Sequence, residues 1–236
     1  MRHWRASVVL LLGAVPPAGA AAVARAPVLV EMFTSEASAA SQPADSLLAK
    51  LDSEAIVLSE HVSTLDGGLW RDRLANEETT KRQLAYADRF RLEKTFVPQI
   101  VVNGAVQFIA SDAQRAEQEI AKATKRVKVT PRLLWADRGV QVEIDRAKVG
   151  DHVYLALADD GVSTMVTGGE NKGRQLHHIA VCREIRNGGV VPLGGAYYQL
   201  IEVPPQARRQ RVVVWVQTGE VGVVSGAAML PPADDQ

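Results

Sequence analysis

Ser38 and Ser41 stand three positions apart in the segment Pro27–Leu51, where small and polar residues separate an apolar run from a helical one. A hydroxyl in such a junction has three uses. It can attack a carbonyl if a base and an orienting group are aligned with it. It can cap the helix by accepting from an N–H of the first turn. The helix N-terminus beside it can also hold a carboxylate or phosphate. No G-x-S-x-G surrounds either serine, and His61 is the only base put forward for them. Helix capping is therefore the expected role.

Cys182 is the single cysteine, so no intrachain disulfide can form. Its expected role is that of a small buried hydrophobe, with pairing to a partner chain as the alternative. His61, His152, His177 and His178 are the candidate ligands. His177 and His178 are adjacent on an expected strand and so face opposite sides. Neither H-x-x-x-H nor C-x-x-C occurs, so no structural zinc and no cofactor is expected. A weak metal site joining His61 to the surface between domains is kept as an alternative. The run Gly169-Glu170-Asn171-Lys172-Gly173-Arg174 is glycine-rich and polar. It lacks the strand–loop–helix context of a phosphate cradle. It reads either as a hairpin loop or as an interdomain or partner contact made by Glu170, Asn171 and Arg174.

The elements that must position these groups follow from periodicity. Val28, Leu29, Val30 and Phe33 form a strand, and Ala44, Leu47, Leu48 and Leu51 recur at helical spacing. A buried strand follows over Ala55–Ser59, then a loop over Ser63–Arg73. A second helix begins at Asn76 as N-cap, with Leu84, Ala87 and Phe90 facing the core. Two short strands flank Asn103-Gly104, a strong hairpin signal, with Pro98 at the entry to the first. In a third helix Ser111 and Gln114 form a capping box, and Ala113, Ala116, Ile120 and Ala123 line one face. From Val127 onward the helical period disappears. Strands are expected around Val140–Ile144, Val153–Leu157, Leu176–Ile185, Ala196–Val203, Arg211–Gln217 and Val221–Leu230, separated by Gly, Asn, Asp and Pro turns. This pattern predicts an antiparallel sandwich of about seven strands.

Composition narrows the function. Lys and Arg total 27 and Asp and Glu total 27, so nothing points to nucleic acid or an anionic membrane. Hydrophobic residues make up 47%, enough for folded cores in a chain of 236 residues. Arg2, His3 and Arg5 precede the apolar run Ala6–Val15 and the small residues Ala18-Gly19-Ala20 and Ala22-Val23-Ala24. Residues 1–24 read as a secretory signal peptide, cleaved after Ala20 or Ala24, with an uncleaved anchor as the alternative. No other stretch reaches transmembrane length.

The order β-α-β-α-β-β-α with a proline entering the third strand resembles the thioredoxin fold. That resemblance implies a cis proline beside the turn that carries the redox cysteines, shaping a groove for extended peptide. The chain also resembles a family of exported bacterial proteins catalogued as a domain of unknown function, number twelve twenty-three. The matching segments are Phe33-Thr34-Ser35-Glu36 with Pro43-Ala44-Asp45, His61-Val62 with Asp66, Val97-Pro98-Gln99 with Val101-Val102-Asn103-Gly104, and Gly169-Glu170-Asn171 with Gly173-Arg174 and Leu176. The departures fall where chemistry would occur. Ser38 and Ser41 replace both cysteines of the pattern, Ala37 replaces a glycine and Gln42 replaces a proline.

The sequence thus predicts a thioredoxin-like domain over residues 25–125 followed by an antiparallel β-sandwich domain over 126–236, secreted or periplasmic. Disulfide exchange needs a thiolate, which a serine does not supply. The expected function is a non-catalytic peptide- or protein-binding or scaffolding module, with an exported protein or peptide as partner. Its groove would be formed by Ser38, Ser41, Gln42, His61, Trp70 and Pro98. The alternatives are an oxidoreductase acting through Cys182 or a partner's thiol, and a weak metal binder.

Overall fold

Alternation along the first strand explains why it lies at the centre of the molecule. In β1 (Ala26–Thr34), Val28, Val30 and Met32 point into one core, while Leu29, Glu31 and Phe33 face the other side, and all six are buried. A strand buried on both faces needs a layer on each. The computed structural model describes residues 26–67 and 71–233. The expected signal peptide and Trp70 lie outside the described residues.

The first half runs β1, α1 (Ser41–Leu51), β2 (Ala55–His61), α2 (Glu77–Arg89), β3 (Gln99–Val102), β4 (Val106–Ile109) and α3 (Ala113–Thr124). β1 pairs parallel with β2 and antiparallel with β3, and β3 pairs antiparallel with β4. Ala44, Leu47, Leu48 and Leu51 of α1 and Ala116 and Ile120 of α3 fill the core over one face of these strands. Each fully buried leucine contributes about 1.5–3 kcal/mol. The β3–β4 turn carries Asn103 (φ 46°) and Gly104 (φ 58°), closed by Ala105 N–H donating to the Val102 carbonyl at 2.9 Å. Glycine is required at the second position for space as well. A Cβ there would lie 2.1 Å from the Gly222 carbonyl oxygen.

The second half contains β5 (Arg132–Ala136), β6 (Gly139–Ile144), β7 (His152–Asp159), β8 (Val162–Met165), β9 (Gln175–His178), β10 (Val181–Val190), β11 (Tyr197–Glu202), β12 (Arg211–Gln217) and β13 (Val224–Leu230). The main sheet does not stop at residue 125. β10 pairs parallel with β2, giving one eight-stranded mixed sheet ordered β13-β12-β7-β10-β2-β1-β3-β4. A three-stranded sheet, β11-β6-β5, packs on its far part through Val142, Ile144, Leu155, Tyr197 and Val214. β8 and β9 form a separate hairpin. The large sheet curls until β13 meets the β3 end, where Val224 N–H donates to the Asn103 carbonyl at 2.8 Å.

Several local expectations need correction. The single strand expected over Leu176–Ile185 is two, β9 and β10, broken where Ala180 adopts φ 50°. Asp112, not Ser111, caps α3, accepting from Arg115 N–H at 3.1 Å. Asn76 caps α2 as expected, accepting from Thr79 N–H at 2.9 Å. That helix, however, turns Leu84 outward and buries Thr79, Arg82, Gln83, Tyr86 and Ala87. The reason is the polar surface it meets. Arg82 Nε lies 2.5 Å from Glu31 Oε1, and its Nη2 donates to Tyr86 Oη at 3.1 Å and to Gln217 Oε1 at 2.9 Å. The guanidinium also lies over the rings of Tyr86 and Trp215, each at 5.1 Å. Arg82 thereby ties the two halves of the chain together.

Candidate functional site

Between β1 and α1 the chain turns through residues 35–40. Ser38 N–H donates to the Ser35 carbonyl at 3.2 Å, and Ser41 N–H to the Ser38 carbonyl at 3.1 Å. The N-cap of α1 is Ala40 in the right-handed helical region, with no side-chain cap bond. The expectation that Ser38 or Ser41 caps the helix is therefore corrected. Ser41 is already the first helical residue, and its buried hydroxyl accepts from Ser35 N–H at 3.4 Å.

The glycine-rich polar loop of the second half sits on this turn. Glu170 Oε2 accepts from Ala39 N–H at 2.8 Å, and Glu170 N–H donates to the Ala37 carbonyl at 3.0 Å. Asn171, fully buried, donates from Nδ2 to the carbonyls of Glu36 (3.0 Å) and Ser38 (2.8 Å). Arg174 Nη1 donates to Asn171 Oδ1 at 3.2 Å and to Gln42 Oε1 at 3.4 Å. Gly169 (φ 68°) approaches so closely that a Cβ would stand 2.9 Å from Ala37 Cα. The Glu170 carboxylate also lies at the positive end of α1. Glu170, Asn171 and Arg174 thus form a contact between the two halves of the chain.

Beneath the turn lies a buried cluster of acids and histidines. Asp72 Oδ2 accepts from Glu36 N–H at 2.9 Å and meets His61 Nδ1 at 2.9 Å, while its Oδ1 accepts from Leu74 N–H at 2.9 Å. Burial raises the Asp72 pKa, but the hydrogen bond and charge of His61 and the two backbone N–H donors outweigh it and hold the carboxyl below its ordinary value. His178 forms ion pairs with Asp45 Oδ2 at 3.0 Å and Glu36 Oε1 at 3.4 Å. Burial pulls its pKa down, yet the carboxylates of Asp45 and Glu36 prevail and push it up to about 9. Thr164 Oγ1 donates to Glu36 Oε1 as well. The rings of His61 and His178 meet edge to face, 4.8 Å between centroids. His178 is buried and His177 exposed, the alternation expected of a strand.

His61 Nε2 has no hydrogen-bond partner among the described residues, so no serine hydroxyl is presented to it. Among the described residues no group of three or more His, Cys, Asp or Glu side chains has the geometry to hold a metal ion.

Val97-Pro98 is cis, and Pro98 lines an open groove of about 380 Å³ with Ala40, Pro43, Leu47, Ile109 and Ala113. Of the residues expected to form a groove, Pro98 reaches it. Ser41 and His61 are buried away from solvent, Ser38 is half-buried under Asn171, and Gln42 is exposed against Arg174. Cys182 is fully buried, its thiol pushed well above the ordinary range by burial and by the Glu60 charge. It lies on β10, three strand spacings or about 14 Å from β3. Glu36, Asp45, Asp72 and Thr164 were missed as site residues. Glu36 and Asp45 fall inside the family-like segments, and that was the available signal.

These features define a mixed α/β protein with one long curled sheet and a strand–helix turn clamped by a distant loop. The family described as "Protein of unknown function (DUF1223)" matches residues 29–217, and the chain belongs to it. The fold is shared with an X-ray crystal structure of a protein from Agrobacterium tumefaciens, at a TM-score of 0.77 and 22% identity, over 91% of this chain and 98% of that one. No curated protein matches the chain. No helix among the described residues is long and apolar enough to cross a membrane.

Proposed function

We propose that the protein is an exported, non-catalytic binding module, with a thioredoxin-like half continued by a β-sandwich half. Its ligand is an extended peptide or protein segment laid beside Pro98. The observation that carries this reading is a groove that stays open next to a turn from which sulfur is absent. The turn's own backbone groups are taken up by Glu170 and Asn171. An extended segment would pair by backbone hydrogen bonds and seat alternate side chains in the apolar groove. The strand order β2-β1-β3-β4 with a cis proline entering β3 supports the thioredoxin-like assignment. The two facing sheets around Val142, Leu155 and Val214 support the sandwich. The basic, apolar and small-residue succession of residues 1–24 supports export. A role for Cys182 in disulfide exchange is disfavoured by its burial and its distance from the groove.

Selection from a displayed library of extended peptides tests the proposal. Peptides selected on the unaltered protein are expected to lose about tenfold or more in affinity on Ile109→Asp, a change at a half-exposed groove position. Equal affinity for both proteins, or no selection at all, overturns the reading. Disulfide-reductase activity in the unaltered protein removes its non-catalytic part.

A further inference from the structure

A second, roomy cleft lies elsewhere, between the C-terminal end of α3, the β3–β4 turn, the 146–148 segment and the start of β13. Its volume is about 700 Å³. Sites for small organic ligands span about 300–1,000 Å³. The floor is apolar, built from Val102, Val106, Ala123, Val129 and Val224. The rim carries five cations, Lys122, Arg126, Lys128, Arg146 and Lys148, against two acids, Glu119 and Asp151. Lys122 is matched by Glu119 at 2.7 Å. Asp151 is buried and accepts from Thr218 Oγ1 at 2.9 Å. Arg126, Lys128, Arg146 and Lys148 have no carboxylate partner among the described residues. A chain with equal numbers of acids and bases has therefore gathered a surplus of three positive charges (five less two) around one concavity.

Helix-end electrostatics accounts for part of this. Lys122 and Arg126 lie at the C-terminal end of α3, where cations complement the dipole. Lys128, Arg146 and Lys148 belong to other segments and have no such reason to converge. The walls are also fixed. Lys128 N–H donates to the Ser225 carbonyl at 2.8 Å and Ala147 N–H to the Gly195 carbonyl at 2.7 Å. A concave site with low-dielectric walls and one sign of charge at its rim concentrates counter-ions. A polyanion would need an extended track. An enclosed apolar floor suits a short hydrophobic body instead.

We propose that this cleft binds a small amphipathic anion, its aliphatic or aromatic body on the valine floor and its carboxylate or phosphate at Arg126, Lys128, Arg146 and Lys148. The site is separate from the turn and the Pro98 groove, so the two readings stand or fall independently.

The probe is 8-anilinonaphthalene-1-sulfonate, followed by fluorescence on the full-length protein after removal of residues 1–24. Saturable binding at one site is expected, with displacement by decanoate or decyl phosphate and none by decyltrimethylammonium. Which of the two anions displaces more strongly distinguishes a carboxylate ligand from a phosphate ester. Charge reversal at exposed positions, Arg126→Glu with Lys148→Glu, is expected to weaken binding about tenfold or more without lowering the melting temperature. If the double variant does not fold, Lys148→Glu alone and a rise in NaCl from about 0.05 M to about 0.5 M serve instead, each weakening binding. Absence of saturable binding overturns the proposal. So does displacement by the cationic amphiphile as effective as by the anions, or unchanged affinity in the charge-reversed protein.

Discussion

Two buried polar centres lie on opposite faces of the β1–β2 pair, with Glu60 and His61 adjacent at the end of β2, and they are satisfied in different ways. Around Arg82 the groups that meet the guanidinium are all bonded, while the oxygens of Glu60 have no hydrogen-bond partner among the described residues. Glu31 bonds both Arg82 and Tyr86, Gln217 bonds Arg82, Tyr86 and Trp215, and Arg82 Nη1 donates to the Glu220 carbonyl at 3.2 Å. Glu60 nearby is pushed well above its ordinary range by burial and by Glu31. Beneath the β1–α1 turn, Glu36, Asp45, His61, Asp72 and His178 share charges less completely, and His61 Nε2 is left without a partner. The first centre holds a cation that stays charged at every physiological pH. The second holds one whose charge is lost within an attainable range. Rigidity between the halves thus rests on a permanent charge, and support of the candidate site rests on a titratable one.

The contrast can be broken by mutation. Arg82→Met leaves Glu31 buried without its counter-ion, bonded only to Tyr86, and is expected to cost about 3–5 kcal/mol in urea unfolding. A loss below about 1 kcal/mol would show that Arg82 does not lock the halves. Glu31→Gln removes the charged acceptor and is expected to cost about 1.5–3 kcal/mol. Glu60→Gln should cost less, because burial and the neighbouring Glu31 already disfavour its charged form. Equal losses would contradict this difference between the two acids.

The turn centre is sharpened by pH. His178 has a folded-state pKa raised from 6.5 to about 9. Its contribution is therefore full below pH 6.5 and disappears as the pH rises through about 9, a loss of about 3 kcal/mol. A melting curve that falls across this window in the unaltered protein and stays flat in His178→Asn is the expected result. The smallest effect belongs to the groove. Ile109→Asp should leave stability within about 0.5 kcal/mol, because the side chain is half-exposed. A larger loss would mean that Ile109 is structural and that the groove is not an open surface.

Local physics made part of this molecule legible. The junction at Ser41, the Asn76 cap and the Asn103-Gly104 turn depend on residues within a few positions of one another, and all three appear where periodicity and turn chemistry put them. Ser38, Ser41 and Ser111 do not cap because Ala40 and Asp112 occupy the N-cap positions, and cap choice depends on backbone angles that composition does not reveal. Leu84 was misassigned because helical spacing shows which residues share a face, not what that face will meet.

By itself the sequence determined the alternation of elements in the first half, the predominance of strands in the second and the family to which the chain belongs. The tertiary structure alone decided that β10 continues the sheet through β2, that Gln217 meets Arg82 across 135 positions, and that Glu170 reaches Ala39 across 131. It also decided that Arg126, Lys128, Arg146 and Lys148, without a carboxylate partner among the described residues, converge on one apolar cleft. Periodicity reports on neighbours along the chain. These contacts are made by folding together segments whose separation leaves no local trace.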